Sequence, residues 1–545
     1  MISGCQDCHL LEFWLNHSAL HLLSQVVIGF DKRSSLGSFG PMQMRIWLFF
    51  CVIGLSVPVL ADEKSDTKKP ESQDSVALEI EQPKPPVVTN GSVEIAGKNV
   101  PYRATSGTIA LESDDGKPRA SMFFVSYERS DVKDTLSRPV MFSFNGGPGS
   151  SAVWLHIGFL GPKLVEISGD GTVAPSPPVR LRNNPHSLLD ECDLVFIDPI
   201  STGYSRAEKG AKPADFHGLE EDIESVSDFI RRWVTKNKRW SSPKFLLGES
   251  YGGIRAAGLA KHLQSRFGMS LNGVVLLSSL LDFSTISSAP GNDLSYQVFL
   301  PSFAVVGAHF KKVVAADLPK FVAEVRSFAF GEYASALLKG SDLEDGTRRA
   351  LADKLERFTG LAAGIWLEHD LRVAPEVFRS ELLKAEGKVI GRFDGRVAWD
   401  STDSASPYAE YDPSYSLVFG AFSTAMLDYL GRELKVEENQ PYEILTGKVQ
   451  PWRWNANNRV VNVADRLAVA MRDNPKLRVL IMAGYKDLAT PADSIAHSVR
   501  HMPGLPKFAR ANISTTYYDA GHMFYLNPPD LAKGRKDLVE FLTHP

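Results

Sequence analysis

Cysteine is nearly absent from this chain. Of 545 residues only four are Cys, and Cys5, Cys8 and Cys51 all precede Ala61. A chain cut after Ala61 keeps Cys192 alone, so it has no internal disulfide and depends on its core for stability. An excess of charge of one sign is also missing. The net charge is −4 with no strong basic patch, which removes nucleic acid from the expected partners. Long hydrophobic runs are lacking too. The apolar stretch Ile46–Leu55 is too short to span a bilayer, and Pro58 interrupts its end. No internal repeat occurs.

That apolar stretch reads instead as the centre of a secretory signal. Arg45 supplies the positive start and Val59-Leu60-Ala61 the small-residue cleavage site. Residues 1–41 are expected to be an over-extended start, with Met42 or Met44 the true initiator and 42–61 the signal. No Cys follows Ala61 to take a lipid, so no membrane anchor is expected after cleavage, and the mature chain is expected in the periplasm or secreted. Residues 62–88, rich in Lys, Glu, Asp, Ser and Pro, read as a flexible linker. Residues 89–545 form the expected catalytic domain.

The stretch Phe245-Leu-Leu-Gly-Glu-Ser-Tyr-Gly-Gly253 organises that domain. Its first three residues end a buried strand, and from Ile254 apolar residues recur near a helical period. Gly248-Glu-Ser-Tyr-Gly252 therefore fits G-x-S-x-G on a strand-to-helix turn. Strain there lifts the Ser250 hydroxyl clear of the sheet, so Ser250 is the expected nucleophile. A second glycine-rich turn, Asn145-Gly-Gly-Pro-Gly149, ends the strand Pro139–Phe144 and can turn backbone N–H groups toward a ligand.

Around these turns strands and helices alternate, which predicts a mostly parallel sheet with helices on both faces. Val93–Ile95, Gly107–Leu111 and Ala120–Tyr127 predict an antiparallel opening. From about residue 283 to 451 the strand rhythm stops, and an inserted helical cap is expected.

A serine nucleophile needs a base and an acid to orient it, in the order Ser, Asp, His along an α/β-hydrolase chain. Asp487 follows the strand Leu477–Met482, and His522 follows the last strand in Asp519-Ala-Gly-His522. Asp493 is the weaker acid candidate, because Thr490-Pro-Ala-Asp493 reads as a helix cap. His497 and His501 lie four apart on the helix that follows. No third ligand accompanies them, so a solvated helix face is expected, with no metal and no cofactor.

With these residues in hand, the sequence resembles the serine carboxypeptidase family. The carriers are Asn145-Gly-Gly-Pro-Gly-Ser-Ser151, Asp198-Pro-Ile-Ser-Thr-Gly-Tyr-Ser205, Gly248-Glu-Ser-Tyr-Gly-Gly253, the Gly484-to-Asp487 loop and Gly521-His522-Met523. The resemblance implies an α/β-hydrolase fold with a helical cap. It implies removal of the C-terminal residue from peptides through an acyl-enzyme on Ser250, with peptides bearing a free C-terminus as substrates. By position it makes the N–H groups of Gly147 and Tyr251 the oxyanion donors, and Asn145, the Gly146 backbone and Glu249 the binders of the substrate carboxylate. Such a Glu249 works protonated, with a raised pKa. Two departures stand out. Ser150 replaces a frequent Cys, and Phe159 stands where a second glutamate is common. A prolyl aminopeptidase, an esterase or an acyltransferase on the same fold, or an inactive peptide-binding module, are the competing functions.

Overall fold

The computed structural model describes residues 85–543 apart from 168, 404, 405, 407 and 408. The expected start, signal and all but the last few residues of the linker lie outside the described residues. Three strands open the fold: β1 (Val87–Ile95), β2 (Lys98–Glu112) and β3 (Pro118–Arg129), paired antiparallel in sequence order. Buried and more open positions largely alternate along β1 and β2, as in sheets with one wet face.

Six further strands run parallel to one another. They are β4 (Val140–Phe144), β5 (Asp193–Ile197), β6 (Lys244–Glu249), β7 (Gly273–Leu277), β8 (Arg478–Gly484) and β9 (Ile513–Tyr518). The order across the sheet is β1-β2-β3-β5-β4-β6-β7-β8-β9, with the two-residue strand Arg206–Ala207 beside β3. Every residue of β4, β5, β6 and β7 is buried. Such strands need no alternation, because helices cover both of their faces.

The two covering layers are legible in the side chains. Phe142, Leu246, Val274 and Ile481 face a core shared with the helices Leu219–Lys236, Tyr251–Phe267 and Ala464–Asp473. Met141, Leu247, Val275 and Met482 face the other core, with Phe422 of the helix Pro413–Arg432 and Leu538 of the helix Pro528–Thr543. Each such side chain contributes about 1.5–3 kcal/mol by burial.

Between β7 and β8 lie helices with a third core of their own. Leu351, Leu355 and Trp366 are buried there, and Phe303 stacks on Phe378 at 4.1 Å between ring centroids. This segment also meets the strand ends. Thr446 N–H donates to the Gly149 carbonyl over 3.0 Å, and His522 N–H donates to the Phe393 carbonyl over 2.6 Å. Among the described residues no helix is long and apolar enough to cross a membrane.

Candidate active site

Parallel strands deliver their loops to one edge, and the loops after all six supply residues there. β6 runs directly into the helix Tyr251–Phe267, leaving Ser250 between them at φ 61° and ψ −129°. Few non-glycine residues adopt a positive φ, and this one sits on the expected strand-to-helix turn. The turn closes so tightly that a Cβ on Gly248 would stand 2.0 Å from the Gly252 carbonyl oxygen. The Asn145 loop crosses the same turn. A Cβ on Gly146 would meet the Tyr251 nitrogen at 2.5 Å, so only glycine lets the loop lie this close. Among the described residues the N–H groups of Gly147 and Tyr251 meet no hydrogen-bond acceptor.

Buried ionic contacts support this crossing from below. Arg255 donates through Nε to Asp222 Oδ2 over 2.7 Å and through Nη1 to the Asn145 carbonyl over 2.6 Å. Tyr251 OH also donates to Asp222 Oδ2, over 3.1 Å. Asp198 Oδ1 accepts from the Ala152 N–H over 2.8 Å and so pins the chain beyond the loop. Burial pushes the Asp198 carboxyl up to about 7.

The expected base and acid come together. His522 Nδ1 and Asp487 Oδ2 are 2.7 Å apart, and both side chains are buried. Asp487 Oδ1 accepts from the N–H groups of Ala489 and Thr490 over 2.8 and 2.9 Å. Burial opposes a charged imidazole, but the charge and hydrogen bond of Asp487, with a smaller pull from Glu249, together outweigh it and raise the His522 pKa above its ordinary value. The Phe393 ring packs over the imidazole at 5.1 Å. Among the described residues neither Ser250 Oγ nor His522 Nε2 takes a hydrogen bond. The two are linked through neighbours. Thr490 Oγ1, 3.0 Å from His522 Nδ1, lies 2.8 Å from the Ser278 carbonyl oxygen, and Ser279 Oγ donates to the Ser250 carbonyl over 2.9 Å.

Glu249 is buried beside Ser250. Its Oε2 accepts from Asn145 Nδ2 and from Tyr525 OH, each over 2.9 Å. Asn145 Oδ1 meanwhile accepts from the Leu155 N–H, which fixes the amide's orientation. Burial pushes the Glu249 carboxyl up to about 7, against the lowering pull of His522 and of these two bonds. Phe159 is fully buried and stacks on Tyr525. Ser150 Oγ accepts from Trp154 Nε1 over 2.9 Å.

Some expectations need correction. Thr490 does not cap a helix. The helix Ala492–Arg500 starts after Pro491, and the Thr490 hydroxyl is drawn to Asp487, His522 and Ser278. Asp493 is no cap either, because both its oxygens accept from Arg326 Nε at 2.8 and 2.9 Å. His497 and His501 stack on each other at 3.9 Å; His501 is exposed, as a solvated face requires, but His497 is half-buried against Phe330. Tyr525, Asp222 and Arg255 escaped notice in the sequence, and Thr490 reads there only as a cap. Asp222 alone left a signal, as a lone acid in register with Val226, Phe229 and Trp233 on an apolar helix face.

Residues 95–290 match the family model described as serine carboxypeptidase. The chain is 25% identical over 194 residues to serine carboxypeptidase-like 45 of Arabidopsis thaliana, covering 34% of this chain and 38% of that protein. It is 29% identical over 172 residues to the pheromone-processing carboxypeptidase KEX1 of Saccharomyces cerevisiae, covering 28% and 21%. These alignments span well under half of the relatives' own length. A solved structure of KEX1(delta)p, a prohormone-processing carboxypeptidase from the same yeast, covers 81% of this chain and 91% of its own at 17% identity, with a TM-score of 0.51. The chain has the α/β-hydrolase fold, and residues 95–290 carry the match to the serine carboxypeptidases.

Proposed function

We propose that this protein is a serine-type carboxypeptidase. The observation that carries the reading is Glu249. A buried carboxyl next to a strained serine is costly unless it serves a ligand, and its raised pKa leaves it protonated below about pH 7. A protonated acid with Asn145 beside it suits one partner above others, the free carboxylate at the end of a peptide.

In this reading Ser250 Oγ attacks the last peptide carbonyl and His522 Nε2 takes its proton, while Asp487 holds Nδ1–H and steadies the imidazolium. The oxyanion is received by the Gly147 and Tyr251 N–H groups. His522 then gives the proton to the departing amino group, and the acyl chain stays on Ser250. Water, deprotonated by His522, releases it. Asn145, the Gly146 backbone and Glu249 hold the departing residue's carboxylate.

Export belongs to the same proposal. The apolar stretch and the Val59-Leu60-Ala61 site support a mature start at Asp62 in the periplasm or medium. Mass spectrometry of an unblocked peptide incubated with the enzyme tests the activity. Single residues should disappear from the C-terminus and none from the N-terminus, and Ser250→Ala should abolish the loss. Trimming from the N-terminus would overturn the reading.

A further inference from the structure

Two hydrogen bonds end on the same oxygen of Glu249. Asn145 Nδ2 and Tyr525 OH both donate to Oε2, whereas Oε1 takes no hydrogen bond among the described residues. Tyr525 is held firmly in place. Its ring lies 5.3 Å from that of Phe159 with only 7° between the planes, and Phe524 meets Phe159 edge-on at 5.8 Å. The backbone closes on it as well, since a Cβ on Gly158 would stand 2.9 Å from the Tyr525 ring. The hydroxyl is fully buried and stays a neutral donor well past its ordinary pKa.

An oxygen that already accepts from two donors is a poor seat for a proton, because the new O–H would confront both. A protonated Glu249 therefore carries its hydrogen on Oε1. We propose that Tyr525 is a positioning and specificity-determining residue, which with Asn145 keeps Oε2 as acceptor so that Glu249 donates from Oε1 to the substrate's terminal carboxylate. The identity of that acceptor rests on the carboxypeptidase reading, whereas the orientation of Glu249 rests on these side chains alone. The groups facing Glu249 are His522 and Asp487 through charge, and Asn145 and Tyr525 through hydrogen bonds. Phe159 brings no charge, so no second acid at that position shares the proton.

Tyr525→Phe keeps the ring and its stack on Phe159 but removes the donor. The first readout is the titration of the Glu249 carboxyl by carbon-13 NMR in Ser250→Ala protein. A hydrogen bond to a carboxylate favours its charged form, so Tyr525→Phe should raise the midpoint by about one pH unit, a tenfold gain in proton affinity. The second is the ratio of kcat/KM for a blocked dipeptide with a free C-terminus to that for its amide, which should fall about tenfold at acidic pH. An unmoved midpoint, or equal losses on both substrates, overturns the proposal. A wild type indifferent to the C-terminal group contradicts the carboxypeptidase reading and the specificity role with it. The midpoint then decides separately whether Tyr525 orients Glu249.

Discussion

His522 and Asp487 meet through Nδ1 and Oδ2 at 2.7 Å, with both side chains sealed from solvent. The contact keeps the proton on Nδ1, so Nε2 is left as the basic nitrogen. Asp487→Asn should cost about 10⁴ in kcat, because the amide favours the wrong tautomer. The same change removes the group that raises the His522 pKa. The acidic limb of the residual activity should therefore move to lower pH. A limb that stays in place would show that His522 is not the titrating base.

Thr490 tests how that pair is held. Its hydroxyl has one proton to donate to the Ser278 carbonyl or to Asp487 Oδ2, and its oxygen accepts from His522 Nδ1–H. Thr490→Val keeps the shape and removes the bond. A bond to a charged group is worth about 1.5–3 kcal/mol, so kcat should fall about ten- to a hundredfold with KM little changed, and Thr490→Ser should recover most of it. Equal activity in the valine and serine variants would contradict this role.

The ion pair beneath the Asn145 loop should be a stability element. Asp222→Ala leaves the Arg255 guanidinium buried without its carboxylate, which costs about 3–5 kcal/mol. Denaturant unfolding of wild type and variant measures it directly. A change below about 1 kcal/mol would mean that water reaches Arg255 in the variant.

Glu249 should make stability depend on pH. The folded carboxyl keeps its proton up to about pH 7, while an ordinary glutamate releases it at 4.5. Between those values the folded state binds more protons, so stability falls as pH rises, by about 3 kcal/mol for this group. Glu249→Gln should flatten that part of the curve. Identical curves for the two proteins would place the folded pKa near its ordinary value.

The parts of the fold that local pattern dictates were legible in the sequence. The buried run Phe245–Leu247, the glycines around Ser250 and the helical period after it define the turn without any tertiary knowledge, and the antiparallel opening follows from its strand and turn residues. What stayed hidden depends on contacts between distant segments. Thr490-Pro-Ala-Asp493 has the letters of a helix cap, yet Asp487 lies three residues before the threonine and Arg326 reaches Asp493 from another helix. Tyr525 resembles any core aromatic until the chain brings it within 2.9 Å of Glu249 from 276 residues away. Phe159 raised the question of what replaces a second acid, and only the packing supplies its stacked partner.

The most direct test of the account compares blocked dipeptides with free, amidated and esterified C-termini between about pH 4 and 9, for wild type and Glu249→Gln. Ser250→Ala and His522→Ala serve as inactive controls, each expected to lose about 10⁶ in kcat, while His497→Ala and His501→Ala should remain active. The account predicts that free C-termini win at acidic pH and that the advantage fades as pH rises through about 7, where Glu249 ionises. Glu249→Gln keeps a donor that cannot ionise, so its preference should change far less with pH. Equal rates on all three substrates across the range, in both proteins, would contradict a carboxylate-binding Glu249 and the carboxypeptidase reading built on it.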